Sequence, residues 1–210
     1  MTEKRKYRVG VLGSGKGSNF VALADAAAAD PAAPYEIVLV LSDVAEAGIL
    51  AQARSRGLAA QYLSPGAYRT KLDPPAEAAY VAALQQARVD LVALAGFMRI
   101  LKGDFLCAYP ARVINIHPSL LPAFPGLEAW RQALEHGVKA TGCTVHFVDP
   151  GVDTGPIIGQ KVVPVLDEDT PGTLHERIQV AEHELYPAVV RALAEDRIAV
   201  QGRRATWRRD

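Results

Sequence analysis

At 210 residues, half of them hydrophobic, the chain can bury a sizeable core and fits one domain, because α/β domains often run past about 200 residues. Lysine plus arginine and aspartate plus glutamate number 23 each, so no global field recruits nucleic acid or an anionic membrane, and any basic site must be local. Two cysteines, Cys107 and Cys143, lack CxxC or Cys/His ligand spacing; this excludes a disulfide framework and a structural zinc centre and points to a reducing compartment.

The run Met1-Thr2-Glu3-Lys4-Arg5-Lys6 leads directly into a strand at Tyr7–Leu12, without the roughly 7–15-residue apolar stretch of a signal peptide. No apolar run reaches the roughly 20 residues that span a bilayer, and a cytoplasmic protein is expected. A helix at 19–29, a strand at 36–41, a helix at 48–56, a short strand at 60–63, a helix at 76–86 and strands at 91–95 and Val113–His117 follow. Runs apolar on both faces, such as Ile37-Val38-Leu39-Val40-Leu41, belong in a parallel sheet covered by helices. The proline-bearing stretch 64–75 is the least regular and reads as a surface loop.

After a helix at 128–136 the pattern changes to strands at 141–148 and 156–165. Asp149-Pro150-Gly151 between them is turn chemistry, which predicts an antiparallel or mixed edge. A long helix is expected at Pro171–Ala194, with Thr170 as N-cap, Pro171 in the first helical position and an apolar stripe of Leu174, Ile178, Ala181 and Leu185. Pro187 should kink or divide it. The closing basic run Arg203-Arg204-Ala205-Thr206-Trp207-Arg208-Arg209 reads as a solvated tail rather than a nucleic-acid arm. The expected fold is α/β and Rossmann-like: a mostly parallel twisted sheet with helices on both faces and an antiparallel or mixed C-terminal edge, in one domain over 1–210.

Ligands of open α/β sheets bind outside the carboxyl ends of the strands. Those ends carry Gly13-Ser14-Gly15-Lys16-Gly17-Ser18-Asn19, Gly96-Phe97-Met98-Arg99 and Asn115-Ile116-His117. The first is a glycine-rich loop that opens a helix, where close backbone approach and free N–H groups suit a phosphate. Gly17 stands where a Walker A loop needs Ser or Thr, and Gly13-x-Gly15-x-Gly17 lacks the GxGxxG spacing. A phosphomonoester therefore fits better than a nucleoside triphosphate, the alternative being a glycine-rich turn without ligand. Asp43 resembles the acidic ribose reader of a dinucleotide fold, but the turn-forming pair Ser42-Asp43 explains it better.

Asn115 and His117 lie two apart on a strand and so share a face. An amide and an imidazole there can donate to one developing oxyanion. Asp153, in the glycine-flanked loop Val152-Asp153-Thr154-Gly155-Pro156, can raise the histidine pKa through a charge pair and keep it protonated near neutral pH as a general acid. Spacing leaves open whether Asp153 reaches His117, and a packed structural histidine is the alternative.

Together, Gly15-Lys16-Gly17-Ser18-Asn19, Ala95-Gly96-Phe97-Met98-Arg99-Ile100-Leu101, the proline-rich run Asn115-Ile116-His117-Pro118-Ser119-Leu120-Leu121-Pro122-Ala123-Phe124-Pro125-Gly126, and Val152-Asp153-Thr154-Gly155-Pro156 resemble the folate-dependent phosphoribosylglycinamide formyltransferases of purine biosynthesis. The likeness is collinear from about Val9 to Gly202. It implies transfer of a formyl group from 10-formyltetrahydrofolate, as cosubstrate, to the amine of 5′-phosphoribosylglycinamide, with no metal, no nucleic acid and no membrane, by a monomer or homodimer. The N-terminal half would bind the nucleotide phosphate and the C-terminal half would bind folate and carry the chemistry. It further implies that Gly17, Ser18 and Asn19 hold the phosphate end and that Gln179 and Glu182 form a second substrate contact. Met98, Arg99, Ile100, Leu101, Asp149, Pro150, Gly151 and Val152 would line the folate pocket, with Asn115, His117 and Asp153 at the formyl carbon. A cis Leu121-Pro122 peptide is implied too.

Two positions depart from the family pattern. The family's basic folate contact in the 64–75 stretch falls on Asp73 in an ungapped match, leaving Arg69 or Lys71 as substitutes, and Ala123 stands where lysine is common. Three rival readings are formyltetrahydrofolate deformylase, which usually adds an N-terminal regulatory domain; methionyl-tRNA formyltransferase, which needs a C-terminal RNA-binding domain; and a dinucleotide-binding regulatory module, which leaves Asn115, His117 and Asp153 without a role.

Overall fold

A computed structural model describes residues 5–208 and divides the chain into two compact units, one ending at Ile114 and one beginning at Asn115. The elements in order are β1 (Tyr7–Leu12), α1 (Ser18–Ala28), β2 (Tyr35–Ser42), α2 (Gly48–Ser55), β3 (Ala60–Tyr62), α3 (Pro74–Gln86), β4 (Leu91–Leu94), α4 (Gly103–Ala108), β5 (Val113–His117), α5 (Ala129–Glu135), β6 (Ala140–Phe147), β7 (Ile157–Pro164), α6 (Pro171–Ala194), β8 (Ile198–Gln201) and β9 (Arg204–Trp207).

In the first unit the strand order is β3-β2-β1-β4, and every pairing in it is parallel. The both-faces-apolar strands cause this: Val9, Val11, Leu12, Val40, Leu41, Val92 and Ala93 have no exposed surface, which requires cover on both sides of the sheet. Asp73 caps α3, accepting from the Ala76 N–H at 3.0 Å and the Ala67 N–H at 2.9 Å. The residue that aligns with a basic folate contact is therefore a helix cap here, and the two N–H bonds hold its pKa below the ordinary carboxylate range. The stretch before α3 is irregular, as expected, with a single bridge from Lys71 to Ile100.

The second unit has the order β5-β6-β7-β9-β8. Its β6·β7 and β8·β9 pairings are antiparallel and β7·β9 is parallel, the mixed C-terminal edge that the turn chemistry predicted. Thr170 and Thr173 close a capping box at the start of α6, and its stripe of Leu174, Ile178 and Ala181 buries against Cys143 and Val163. Each fully buried aliphatic side chain there contributes about 1.5–3 kcal/mol.

Of the two outcomes expected at Pro187, division does not occur: α6 runs unbroken to Ala194, and Tyr186, Val189 and Val190, fully buried around it, offset the roughly 3 kcal/mol that an interior proline costs. The short helix α4 was not foreseen, because six residues carry too little periodicity. The basic C-terminal run is not a solvated tail: Arg204–Trp207 is a strand whose Trp207 indole donates to the Ile158 carbonyl at 2.8 Å. Arg209, like Met1 to Lys4, lies outside the described residues.

Candidate active site

The second unit gathers Asn115, His117 and Asp153. Asn115 and His117 project from one face of β5, with Ile116 buried between them on the other. The Asp153 carboxylate comes from the β6–β7 loop and places Oδ2 3.4 Å from His117 Nδ1. His117 Nε2 donates to the Phe124 carbonyl at 2.9 Å. Since a carbonyl only accepts, this bond fixes one imidazole proton on Nε2 and leaves Nδ1 turned to the carboxylate.

A fourth side chain completes the cluster. His146 on β6 lies with Nε2 3.2 Å from Asn115 Nδ2 and 3.6 Å from Asp153 Oδ1. Its Nδ1 donates to the Phe147 carbonyl at 2.8 Å, so a neutral His146 presents a bare Nε2 that accepts from the Asn115 amide. Sequence reasoning did not single it out, although a signal was present: Thr144 and His146 are polar at alternate positions of β6, between the apolar Cys143, Val145 and Phe147, which puts both on one buried face.

The proline-rich segment supports these groups through its backbone. Thr144 Oγ1 donates to the Ser119 carbonyl at 2.6 Å and accepts from the Leu121 N–H at 3.0 Å and Gln160 Nε2 at 3.0 Å, which exhausts a hydroxyl's capacity. The Leu121-Pro122 peptide is cis. Phe124 adopts a left-handed φ of 53° and turns its carbonyl to His117, while the Gly126 N–H donates to Asp153 Oδ2 at 2.9 Å. On the other side, Thr154 Oγ1 donates to Asp149 at 2.6 Å, Arg203 donates to the Thr154 carbonyl at 3.0 Å, and a side chain on Gly155 would collide with the Phe147 carbonyl. Asp153 is held by its neighbours on both flanks. Of the other residues expected at folate, Pro150 and Gly151 are exposed and Val152 is half exposed.

The charge state of His117 differs from expectation. Burial is the largest influence and disfavours the imidazolium; Asp153 and the Phe124 carbonyl pull the other way without reversing it, and the pKa lies below the ordinary histidine value. His117 is thus mostly neutral at pH 7. Burial also opposes ionisation of Asp153, but the imidazoles of His146 and His117 beside it and the Gly126 N–H together outweigh it and hold its carboxyl below the usual range.

Gln179 and Glu182 lie one turn apart on α6. Gln179 Nε2 is 3.4 Å from His175 Nε2, and His175 stacks on Trp130 with centroids 3.7 Å apart. Glu182 is buried, and after burial itself its charge is the main influence that pushes the Cys143 thiol up to about 12.

In the first unit, Gly17 precedes α1 with φ 85°, and no side chain caps the helix. A Cβ on Gly17 would stand 2.8 Å from the Ile49 backbone, so glycine is demanded twice, by conformation and by space. Ser18 and Asn19 open the helix, half-buried. In the loop after β4, Met98 is exposed and Leu101 is buried. The Ile100 N–H donates to the Thr70 carbonyl at 2.9 Å, and Arg99 pairs through Nε with Asp43 Oδ2 at 2.7 Å. Lys71, a candidate basic folate contact, lies over the Tyr68 ring at 4.8 Å. Among the described residues no group of three His, Cys, Asp or Glu side chains is placed to hold a metal, and no helix is long and apolar enough to cross a membrane.

Comparison with known proteins identifies the family and the fold. The profile of the formyl transferase family matches residues 7–190. The chain is 45% identical over 206 residues to the phosphoribosylglycinamide formyltransferase of Mycobacterium tuberculosis, covering 96% of this chain and 92% of that one. Its fold matches the crystal structure of glycinamide ribonucleotide transformylase 1 from Symbiobacterium toebii with a TM-score of 0.91 and 50% identity, over 97% of this chain and 95% of the other. It is also 44% identical over 192 residues, 91% of its length, to the human trifunctional purine biosynthetic protein adenosine-3, but spans only 19% of that protein.

Proposed function

The chain belongs to the formyl transferase family, and from that premise we propose that it transfers the formyl group of 10-formyltetrahydrofolate to the amine of 5′-phosphoribosylglycinamide, in the synthesis of purines. The observation that carries this reading is the cluster of Asn115, His117, His146 and Asp153, linked by contacts of 3.2–3.6 Å. It combines an amide donor, a histidine that can take up a proton and a carboxylate that stabilises the resulting cation.

The neutral substrate amine attacks the formyl carbon. The new carbon–nitrogen bond forms, the carbonyl electrons move to oxygen, and the bond from the formyl carbon to the folate nitrogen then breaks. The proton lost by the amine ends on that nitrogen. Asn115 uses the N–H that His146 does not occupy to stabilise the oxyanion. His117 takes a proton on Nδ1, the nitrogen whose 3.4 Å contact to Asp153 is longer than a strong hydrogen bond, and then donates from it. Removal of one oxyanion donor typically lowers the rate by about 10²–10³.

Gly17, Ser18 and Asn19 hold the substrate phosphate at the start of α1, with Gln179 and Glu182 as the second contact. Met98, Arg99, Ile100, Leu101 and Asp149 to Asp153 bind folate, the first four largely through backbone. Residues 1–210 act as one formyltransferase domain, as a monomer or homodimer, and the free thiols of Cys107 and Cys143 suit the cytoplasm.

A spectrophotometric assay for tetrahydrofolate tests this directly. Turnover should require phosphoribosylglycinamide and survive a chelator. Equal turnover without the amine would make the chain a deformylase, and loss of activity on chelation would refute the mechanism.

A further inference from the structure

Three loops of the first unit, those after β1, β2 and β4, are joined by one chain of side-chain bonds. The Met98 N–H donates to Ser14 Oγ at 2.8 Å, Ser14 Oγ donates to Asp43 Oδ1 at 2.5 Å, and Arg99 Nε donates to Asp43 Oδ2 at 2.7 Å. Both oxygens of Asp43 accept, so the group works as a carboxylate, and its side chain is only 2% exposed. Arg99 continues the chain by donating from Nη1 to the carbonyls of Tyr68, at 3.0 Å, and Arg69. The backbone repeats the connection, because the Ser14 N–H donates to the Gly96 carbonyl at 3.0 Å.

We infer that Asp43 is a positioning residue that couples binding of the phosphate-bearing substrate at the glycine loop to binding of folate at the loop after β4. The inference rests on the formyl-transfer reading. Its physical basis is that Asp43 can be left by neither partner cheaply, because a buried carboxylate without its donors is strongly unfavourable. Every donor direction in the chain is fixed, since Ser14 accepts from one loop only while donating to another. Whichever ligand orders its own loop therefore also orders the other, and the ordering is not repeated when the second ligand arrives. Such coupling is reciprocal between the two sites. Asp43 thus serves neither as a ribose reader nor as a mere turn former.

The test is calorimetric binding of phosphoribosylglycinamide with and without saturating tetrahydrofolate, together with steady-state kinetics, on wild type, Asp43→Asn and Ser14→Ala. Wild type should bind the ribonucleotide about tenfold more tightly when folate is present. In both variants that ratio should fall to near one and both KM values should rise, while the pH profile of kcat stays that of wild type. A purely structural role would lower the melting temperature and leave the ratio unchanged, which overturns the inference, as does a wild-type ratio of one. Ser14→Ala, which keeps the Asp43–Arg99 ion pair intact, decides the matter if Asp43→Asn fails to fold. Absence of wild-type turnover would remove the formyl-transfer reading and this inference with it. Normal wild-type turnover with an unchanged ratio in the variants removes only the inference.

Discussion

Asn115 and His146 meet side chain to side chain, Nδ2 against Nε2 at 3.2 Å, and the partner on the far side of the imidazole decides what this contact does. The Phe147 carbonyl holds the His146 proton on Nδ1, so Nε2 accepts and the Asn115 amide is turned with its nitrogen inward. One N–H is then engaged and the other is free for substrate. Without His146 the amide can rotate by half a turn and offer its oxygen to the oxyanion, which repels it.

We predict that His146→Leu lowers kcat by about 10–10² with little change in either KM, somewhat less than loss of the donor itself. Steady-state kinetics on a variant with an intact melting transition would measure this. A rise in KM at constant kcat would show that His146 binds substrate rather than orienting Asn115.

Acid sensitivity follows from the two lowered pKa values. His117 takes up a proton less readily in the folded chain than in the unfolded one, chiefly through burial. Its contribution to stability is complete above the unfolded value of about 6.5 and is lost as pH falls from there through the folded pKa. Asp153 is likewise lowered, because the neighbouring imidazoles of His146 and His117 and the Gly126 N–H outweigh its burial. That contribution is lost further down, below the ordinary carboxylate value of about 3.9. Urea midpoints should thus fall with pH in two stages, and His117→Asn should flatten the first of them. A midpoint that rises between pH 7 and pH 5.5 in wild type would reverse the sign assigned to His117.

Gly15 and Gly17 separate space from ligand binding in the same loop. A Cβ at Gly15 would meet nothing within 4 Å, whereas Gly17 has φ 85° and would press on Ile49. Gly15→Ala is expected to leave the melting temperature unchanged, and Gly17→Ala to destabilise by more than the roughly 1–2 kcal/mol that the left-handed backbone costs, because its Cβ also presses on Ile49. Gly17→Val should in addition raise the KM for phosphoribosylglycinamide well beyond the KM for folate. Differential scanning calorimetry beside the kinetics distinguishes the two effects, and equal rises in both KM values would point to general misfolding.

Much of this was legible in the residues. Period-two and both-faces-apolar runs gave the strands, and the Thr170-Pro171 start located α6 at its observed first residue. What escaped depends on partners distant in sequence. The strand Arg204–Trp207 is defined by β8 and β7 and by the Ile158 carbonyl that receives Trp207, and four arginines among the seven residues 203–209 masked that pattern. Asp43 reads as a turn residue until Ser14 and Arg99 are brought to it. The sign of the His117 shift was missed for a similar reason: a carboxylate partner can be guessed from the motif, but the burial that exceeds it cannot.

Charge and shape are separable at Asp153. The carboxylate faces His117 and His146 and also fixes the Gly126 N–H, so Asp153→Asn keeps the shape and removes the charge. The variant should fold, bind both substrates and lose kcat, and the His117 titration followed by NMR should move still lower, because the main upward influence on it is gone. An unchanged His117 titration would make Asp153 a ligand or water contact and remove the charge argument. Residues that act as one unit give strongly non-additive losses. The double variant Asp153→Asn with His117→Asn should therefore lose little more than His117→Asn alone, since without an imidazole the carboxylate has no imidazolium to stabilise. Losses that multiply would instead assign Asp153 a second, independent task at the formyl carbon, such as holding the water through which the amine proton leaves.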